Sequence, residues 1–175
     1  RVIFCLNSNP LFGGFWNVFS RVWREKLEIT PTVFFSGSEA ELKQSNLSTQ
    51  FGDVIRLEHV PEVIVDPSLD WSITWALFWG PTLFPNEVCM TCGMDQLPLS
   101  DLFFKAIEKI PNEDYVVGFS DAYTGMDHFP SSHHVSKGEN FSKIYGVDTS
   151  WEAEIKKVFN KGSLMYRGQL GDNLW

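Results

Sequence analysis

The strongest constraint in this chain is a set of short apolar runs, VIFCL, TVFF, VCMTC and YVVGF, that carry no charge and do not alternate with polar residues. A strand with one wet face alternates. Strands that do not alternate are buried on both faces, as parallel strands are when helices cover both sides of their sheet. Parallel neighbours need crossover connections, commonly helices, and helical patterns lie between the runs. Phe15, Val18, Phe19, Val22, Trp23 and Leu27 recur at three- and four-residue spacing, predicting one buried helical stripe. Ser38-Glu39-Ala40-Glu41 reads as a capping box. GDVIRLEHV alternates as a further strand, and WSITWALFW reads as a helix capped by Ser68 or Asp70 and stopped by Gly80-Pro81. Ser100 is the expected cap of a helix with Leu102, Phe103, Ala106, Ile107 and Ile110 inward and Pro111 at its end. Thr149-Ser150-Trp151-Glu152 opens a last helix that buries Trp151, Ile155, Val158 and Phe159. The pattern predicts an α/β fold with a mostly parallel central sheet and helices on both faces. The segment 121–148, rich in Ser, Gly and His, reads as an irregular functional loop region.

At 175 residues the chain suits a single domain with a sizeable core. Its net charge of -8 offers no field to attract a phosphate backbone, so nucleic acid is not an expected partner. No apolar stretch is long enough for a membrane span. Three cysteines, Cys5, Cys89 and Cys92, suit a reducing compartment, and a cytoplasmic location is expected. Arg1 opens inside a strand without Met or signal peptide, so residues 1–175 are expected to be one domain of a longer chain, truncated at both ends.

Open parallel sheets bind ligands beyond the carboxyl ends of their strands. Those ends are Asn7-Ser8-Asn9, Ser36-Gly37, Gly93-Met94-Asp95-Gln96 and Ser120-Asp121, all small or polar and all directly after an apolar run. Turns favour the same residues for conformational reasons; four such tips meeting at one cleft would suit a polar ligand. Neither GxGxxG nor GxxxxGK[ST] is present, and Phe12-Gly13-Gly14 fits neither, which disfavours ordinary dinucleotide binding and P-loop chemistry. A nucleotide could instead be held by strand-end side chains, with a divalent ion on its diphosphate. Such an ion often takes only one or two protein carboxylates, and Asp95, alone or with Asp121, is the candidate. Gln96 could hydrogen-bond sugar hydroxyls or phosphate.

The layout resembles the glycosyltransferase A fold of the nucleotide-diphospho-sugar transferases over roughly residues 1–125. In that family an Asp-x-Asp signature follows a buried strand and precedes a helix, and CGMDQLPLSDLFF is similar to that segment. The resemblance puts Asp95 at the second aspartate and Gly93 where the first would stand. It puts Asn7, Ser8 and Asn9 at the first-strand loop that meets the nucleotide, and Ser36 and Gly37 where the second strand approaches the base. It implies transfer of a sugar from a nucleotide-diphospho-sugar, a UDP-sugar, to a hydroxyl acceptor such as a glycan, with Mn²⁺ or Mg²⁺ at Asp95. An inverting enzyme also needs a carboxylate base, and Asp121 is the candidate within the chain. In general texture the chain is similar to glycosyltransferases of large algal DNA viruses. Two alternatives remain: a non-catalytic carbohydrate- or protein-binding module on the same fold, and a sugar nucleotidyltransferase, whose Gly-rich basic first loop NSNPLFGGFWN does not supply.

Cys89 and Cys92 lie inside an apolar run and are expected to pack as small hydrophobes. His133 and His134, adjacent in an extended segment, face opposite ways and are expected in an exposed or substrate-contacting loop. Trp71, Trp75 and Trp79 form a helical stripe expected to pack in the core.

Overall fold

The alternation read from the apolar runs is present as β1 (Val2–Asn7), α1 (Pro10–Leu27), β2 (Pro31–Ser36), α2 (Glu39–Ser45), β3 (Asp53–Leu57), α3 (Trp71–Trp79) and a 3-10 helix (Gly80–Leu83). It continues as β4 (Val88–Thr91), α4 (Leu102–Ile107), β5 (Val117–Gly118), β6 (His134–Lys137), α5 (Gly138–Tyr145) and α6 (Trp151–Asn160). The computed structural model describes residues 1–58, 71–109, 117–118, 132–147 and 150–160. The six strands form one sheet in the order β3-β2-β1-β4-β6-β5. β1, β2, β3 and β4 pair in parallel, and β6 alone runs antiparallel to its neighbours β4 and β5.

Side chains of β1 and β2 alternate between two cores. Ile3 and Phe34 pack with Trp79, Phe141, Trp151 and Ile155 on one face. Phe4, Leu6, Val33 and Phe35 pack with Trp16, Phe19 and Trp23 of α1 on the other. Burying each large apolar side chain contributes about 1.5–3 kcal/mol before conformational entropy is set against it. Both faces being dry explains why the strands read as unbroken apolar runs. Among the described residues, no helix is long and apolar enough to cross a membrane.

Three local expectations are corrected. In α1 the buried stripe runs through Trp16, Phe19, Ser20 and Trp23, while Val18 is 57% exposed. The two tryptophans bring far more apolar area than the valines and meet Phe4 edge-on, at 6.3 and 5.9 Å between ring centres. In α4 the N-cap is Asp101 rather than Ser100, with no capping side-chain bond; Asp101 pairs with Lys105 instead, at 2.6 Å. Leu102 is 70% exposed, and Phe104 takes the inward place, edge-on to Trp23. Ile110 lies outside the described residues.

The third correction concerns the segment read as an irregular loop, which holds β6 and α5. HVSK has a single aliphatic residue and so no apolar run to announce a strand, yet His134, Val135 and Ser136 are all buried beside β4. His134 is not a loop residue: its Nδ1 hydrogen-bonds the Tyr145 hydroxyl, and its ring packs edge-on to Phe78. His133 has φ 66° and is half-buried beside Phe103, so neither histidine is freely exposed.

Trp79 is buried between Phe34 and Trp151, at ring distances of 5.6 and 5.0 Å, as expected of a core stripe. Trp75 donates its indole N–H to Glu154 at 2.9 Å. Glu154 is fully buried and also pairs with Lys157 at 3.0 Å, a polar link that no apolar pattern announces. The side chain of Trp71, and the helix cap expected at Ser68 or Asp70, lie outside the described residues.

Cys89 and Cys92 are buried free thiols, as expected. Burial pushes Cys89 up to about 11; burial, and then the charge of Asp95, push Cys92 up to about 12. Both thiols should therefore resist a disulfide reagent at pH 8 until denaturant is added. Because their folded values lie above the unfolded ones, their contribution to stability is complete below about pH 9 and is lost as the pH rises towards 11–12. Prompt native-state labelling of all three thiols at pH 8 would contradict this packing.

Candidate active site

The parallel pairing brings the polar strand ends to one edge. Asn7, the last residue of β1, is in register with Ser36, the last of β2. β4 pairs beside β1 with Thr91 opposite Ile3, and pairing ends where the Cys92 N–H donates to the Ile3 carbonyl at 2.9 Å. The 93–96 turn therefore leaves the sheet on the edge that carries Asn7 and Ser36. Three of the four predicted tips are together. The fourth, Ser120-Asp121, follows β5 and lies outside the described residues.

The first tip is shaped by its own asparagines. Asn7 Oδ1 accepts the Asn9 N–H and Asn9 Oδ1 accepts the Leu11 N–H, both at 3.0 Å. Asn9 is thus the N-cap of α1, with Pro10 at its first position. This directs the start of an 18-residue helix, with its partial positive charge and no acidic residue in its first turn, at the same edge. Ser8 is exposed between the two asparagines.

The second tip turns at Gly37. A Cβ there would stand 2.7 Å from the ring of fully buried Phe35, so the tight exit from β2 needs glycine. Beyond it Ser38 and Glu41 form the predicted capping box. Glu41 Oε2 accepts the Ser38 N–H at 2.8 Å and the Ser38 hydroxyl at 2.7 Å. These bonds hold Glu41 below the usual carboxylate range.

At the third tip Asp95 is exposed in the turn closed by the Gln96 N–H on the Gly93 carbonyl, 3.2 Å. No cation pairs with it among the described residues. A Cβ on residue 93 would stand 2.7 Å from Asp95 Oδ1, so the carboxylate lies back over the bare glycine. Gln96 does not point freely outward: its amide oxygen accepts the Gly93 N–H at 3.2 Å and lies 3.6 Å from the Cys92 thiol. The amide NH₂ is what Gln96 has left for a ligand. Beneath this turn a pocket of about 250 Å³ is lined by Trp23, Met90, Cys92, Leu97, Phe103 and His133, among others.

Among the described residues no group of three or more His, Cys, Asp or Glu side chains could hold a metal by itself. One exposed carboxylate suits a Mg²⁺- or Mn²⁺-type ion that arrives with a diphosphate and keeps phosphate and water in its shell; it does not suit a resident ion.

The sequence matches no family model and no curated protein. The whole architecture, however, matches the structure of the active-site mutant Q189E of LgtC, with a TM-score of 0.55 at 15% identity, over 90% of this chain and 65% of that one. The fold is the glycosyltransferase A fold. Galactosyltransferase LgtC in complex with donor and acceptor sugar analogues is similar at a TM-score of 0.47 and 15% identity, over the same shares of the two chains. The apo-form glycosyltransferase GlyE of Streptococcus pneumoniae TIGR4 is similar at 0.47 and 14%, over 96% of this chain and 49% of that one. The chain thus spans 65% of the length of LgtC and about half that of GlyE.

Within a glycosyltransferase A fold, sequence reasoning found the three tips through their apolar runs. It missed that the Gln96 amide oxygen is taken by the Gly93 N–H, because that bond depends on the path of the turn rather than on any pattern in the sequence.

Proposed function

We propose that this domain binds a nucleotide-diphospho-sugar, a UDP-sugar, and transfers the sugar to a hydroxyl acceptor such as a glycan. The observation that carries the reading is Asp95, an exposed carboxylate without a cation partner among the described residues, on the same sheet edge as the Asn7–Asn9 and Ser36–Gly37 tips. The glycosyltransferase A fold supports it. Base and ribose would lie against the first two tips and the diphosphate between the start of α1 and Asp95. A Mn²⁺ or Mg²⁺ ion there would neutralise charge on the departing diphosphate. Asp95 would orient that ion, Asn7 and Asn9 hold the loop rigid through their bonds to the backbone, and the Gln96 NH₂ donate to a sugar or phosphate oxygen. Asp121 is proposed as the base that takes the acceptor proton in an inverting reaction. The likeness to algal-virus transferases rests on sequence texture alone.

Gly93 in place of the first signature aspartate favours a second reading, a binding module on this fold without transferase activity. Calorimetric titration with UDP, with and without Mn²⁺, followed by release of sugar from UDP-sugars, separates the two. The transferase reading expects binding at least 10-fold tighter with Mn²⁺, and sugar release. A folded protein that binds no UDP under either condition refutes it.

A further inference from the structure

Trp23 is 2% exposed, yet its indole N–H meets no acceptor among the described residues. A buried donor left unpaired costs free energy, and most such donors in native proteins have a partner. The rings that Trp23 meets edge-on, Phe4 and Phe104, carry no acceptor atom. The same side chain borders the pocket of about 250 Å³ beneath the Asp95 turn. The other walls are largely apolar: Met90, Leu97, Phe103 and Phe104 line the pocket, and the exposed Leu99 stands at its rim. His133 joins them with its backbone at φ 66°, its N–H bonded to the Thr91 carbonyl at 2.6 Å, and its ring edge-on to Phe103. No lysine, arginine or carboxylate is among the described lining residues. Burial holds the His133 imidazole below its usual value, so it is neutral at pH 7.

An apolar cavity of about 150 Å³ holds benzene, so this pocket has room for one aromatic ring and a substituent. Aromatic walls suit the faces and edges of such a ring. The unpaired donor suits an acceptor oxygen on it. A lining without formal charge disfavours an ionised ligand, which would lose its hydration and gain no counter-charge. From these observations together we infer that the pocket is a binding site for a neutral aryl compound, whose hydroxyl or carbonyl oxygen accepts the Trp23 indole N–H. The site goes beyond the nucleotide reading and does not rest on it. Cys92 and Gln96 belong both to the pocket lining and to the bonds of the turn that carries Asp95, so an occupant also steadies that turn.

The test compares phenol, benzene and benzoate as ligands of the domain, by calorimetric titration and by the Trp23 indole N–H resonance in NMR. In a wholly apolar pocket phenol binds more weakly than benzene, because its hydroxyl leaves water unpaired. The indole donor reverses that order. Phenol is expected to bind about 3- to 10-fold more tightly than benzene, the worth of one neutral hydrogen bond. It should move the Trp23 N–H resonance downfield, and benzene should not. Benzoate should bind at least about 10-fold more weakly than phenol, because no cation in the lining receives its charge. Trp23→Phe keeps an aromatic wall and removes the donor: benzene still binds, and phenol falls below it. If that variant does not fold, the wild-type affinities and the resonance decide alone. Benzene binding as tightly as phenol, benzoate matching phenol, or an unmoved Trp23 resonance overturns the inference. So does a folded protein that binds neither neutral ring, or a phenol preference that survives in Trp23→Phe. UDP enters none of these measurements, so failure of the nucleotide reading and failure of this site are told apart.

Discussion

Asp95→Ala is expected to weaken Mn²⁺-dependent UDP binding by roughly 30- to 150-fold, the equivalent of about 2–3 kcal/mol for one charge-assisted contact. UDP binding in EDTA should change little. The size of the effect follows from how few ligands the site offers: among the described residues Asp95 belongs to no group of three or more His, Cys, Asp or Glu side chains that could hold a metal. Its selectivity follows from exposure, since an exposed turn residue without an ion pair has little to lose structurally, and the Tm should shift by no more than about 1–2 °C. The converse variant sharpens the test. Gly93→Asp completes an Asp-x-Asp pair, and its Cβ meets the end of the Asp95 side chain, Oδ1, at 2.7 Å and the Gln96 amide at 3.4 Å. That end can rotate into solvent, so the protein should fold and bind Mn²⁺–UDP about 10-fold more tightly, a second anionic ligand adding roughly 1.4 kcal/mol. Equal loss of UDP affinity in Asp95→Ala with and without metal would show that the carboxylate does not act through an ion.

Gly138→Ala should be strongly destabilising. A Cβ at this position would stand 2.2 Å from the Pro81 carbonyl oxygen and 2.3 Å from that of Phe84. Both obstacles are backbone, so no rotamer change relieves them. The start of α5 is also pinned there by two hydrogen bonds, Gly138 N–H to the Glu87 carbonyl at 3.0 Å and Glu139 N–H to Pro85 at 3.2 Å. Accommodating one methyl group means separating α5 from the turn before β4. A cost of about 3 kcal/mol is expected, the upper range for overpacking, or a fall in Tm of about 10 °C for a chain of this size. Urea unfolding measures it directly, and a loss below about 1 kcal/mol would mean that this junction has slack. Because β6 leads into Gly138 and pairs with β4, faster amide exchange should reach Val88–Thr91, the strand that carries the Asp95 turn.

The parallel core was legible because burial on both faces removes the need for polar alternation, and that leaves unbroken runs such as VIFCL and TVFF in the sequence. The tips were legible for a related reason: a run must end where the chain leaves the core, and Asn7, Ser36 and Gly93 mark those exits. The strand β6 was not, because HVSK earns its place by pairing with β4 and by the His134–Tyr145 bond, both of which depend on partners outside the segment. The inward face of α1 was legible in part: Phe19 and Trp23 are buried and Phe15 and Leu27 pack against the same core, but Trp16 takes the place that the period also offered to Val18. The competition was settled by how much area each face could bury against Phe4.

Local chemistry therefore determined which segments are strands and helices, that the sheet is mostly parallel, and that Asp95 stands at a strand end, because each of these follows from the burial and backbone preferences of neighbouring residues. Only the tertiary structure decided the strand order β3-β2-β1-β4-β6-β5 and the bond from Trp75 to the fully buried Glu154. Each of those joins residues far apart in the chain, and a contact's free energy depends on where folding brings its second partner, which no periodicity in the sequence records.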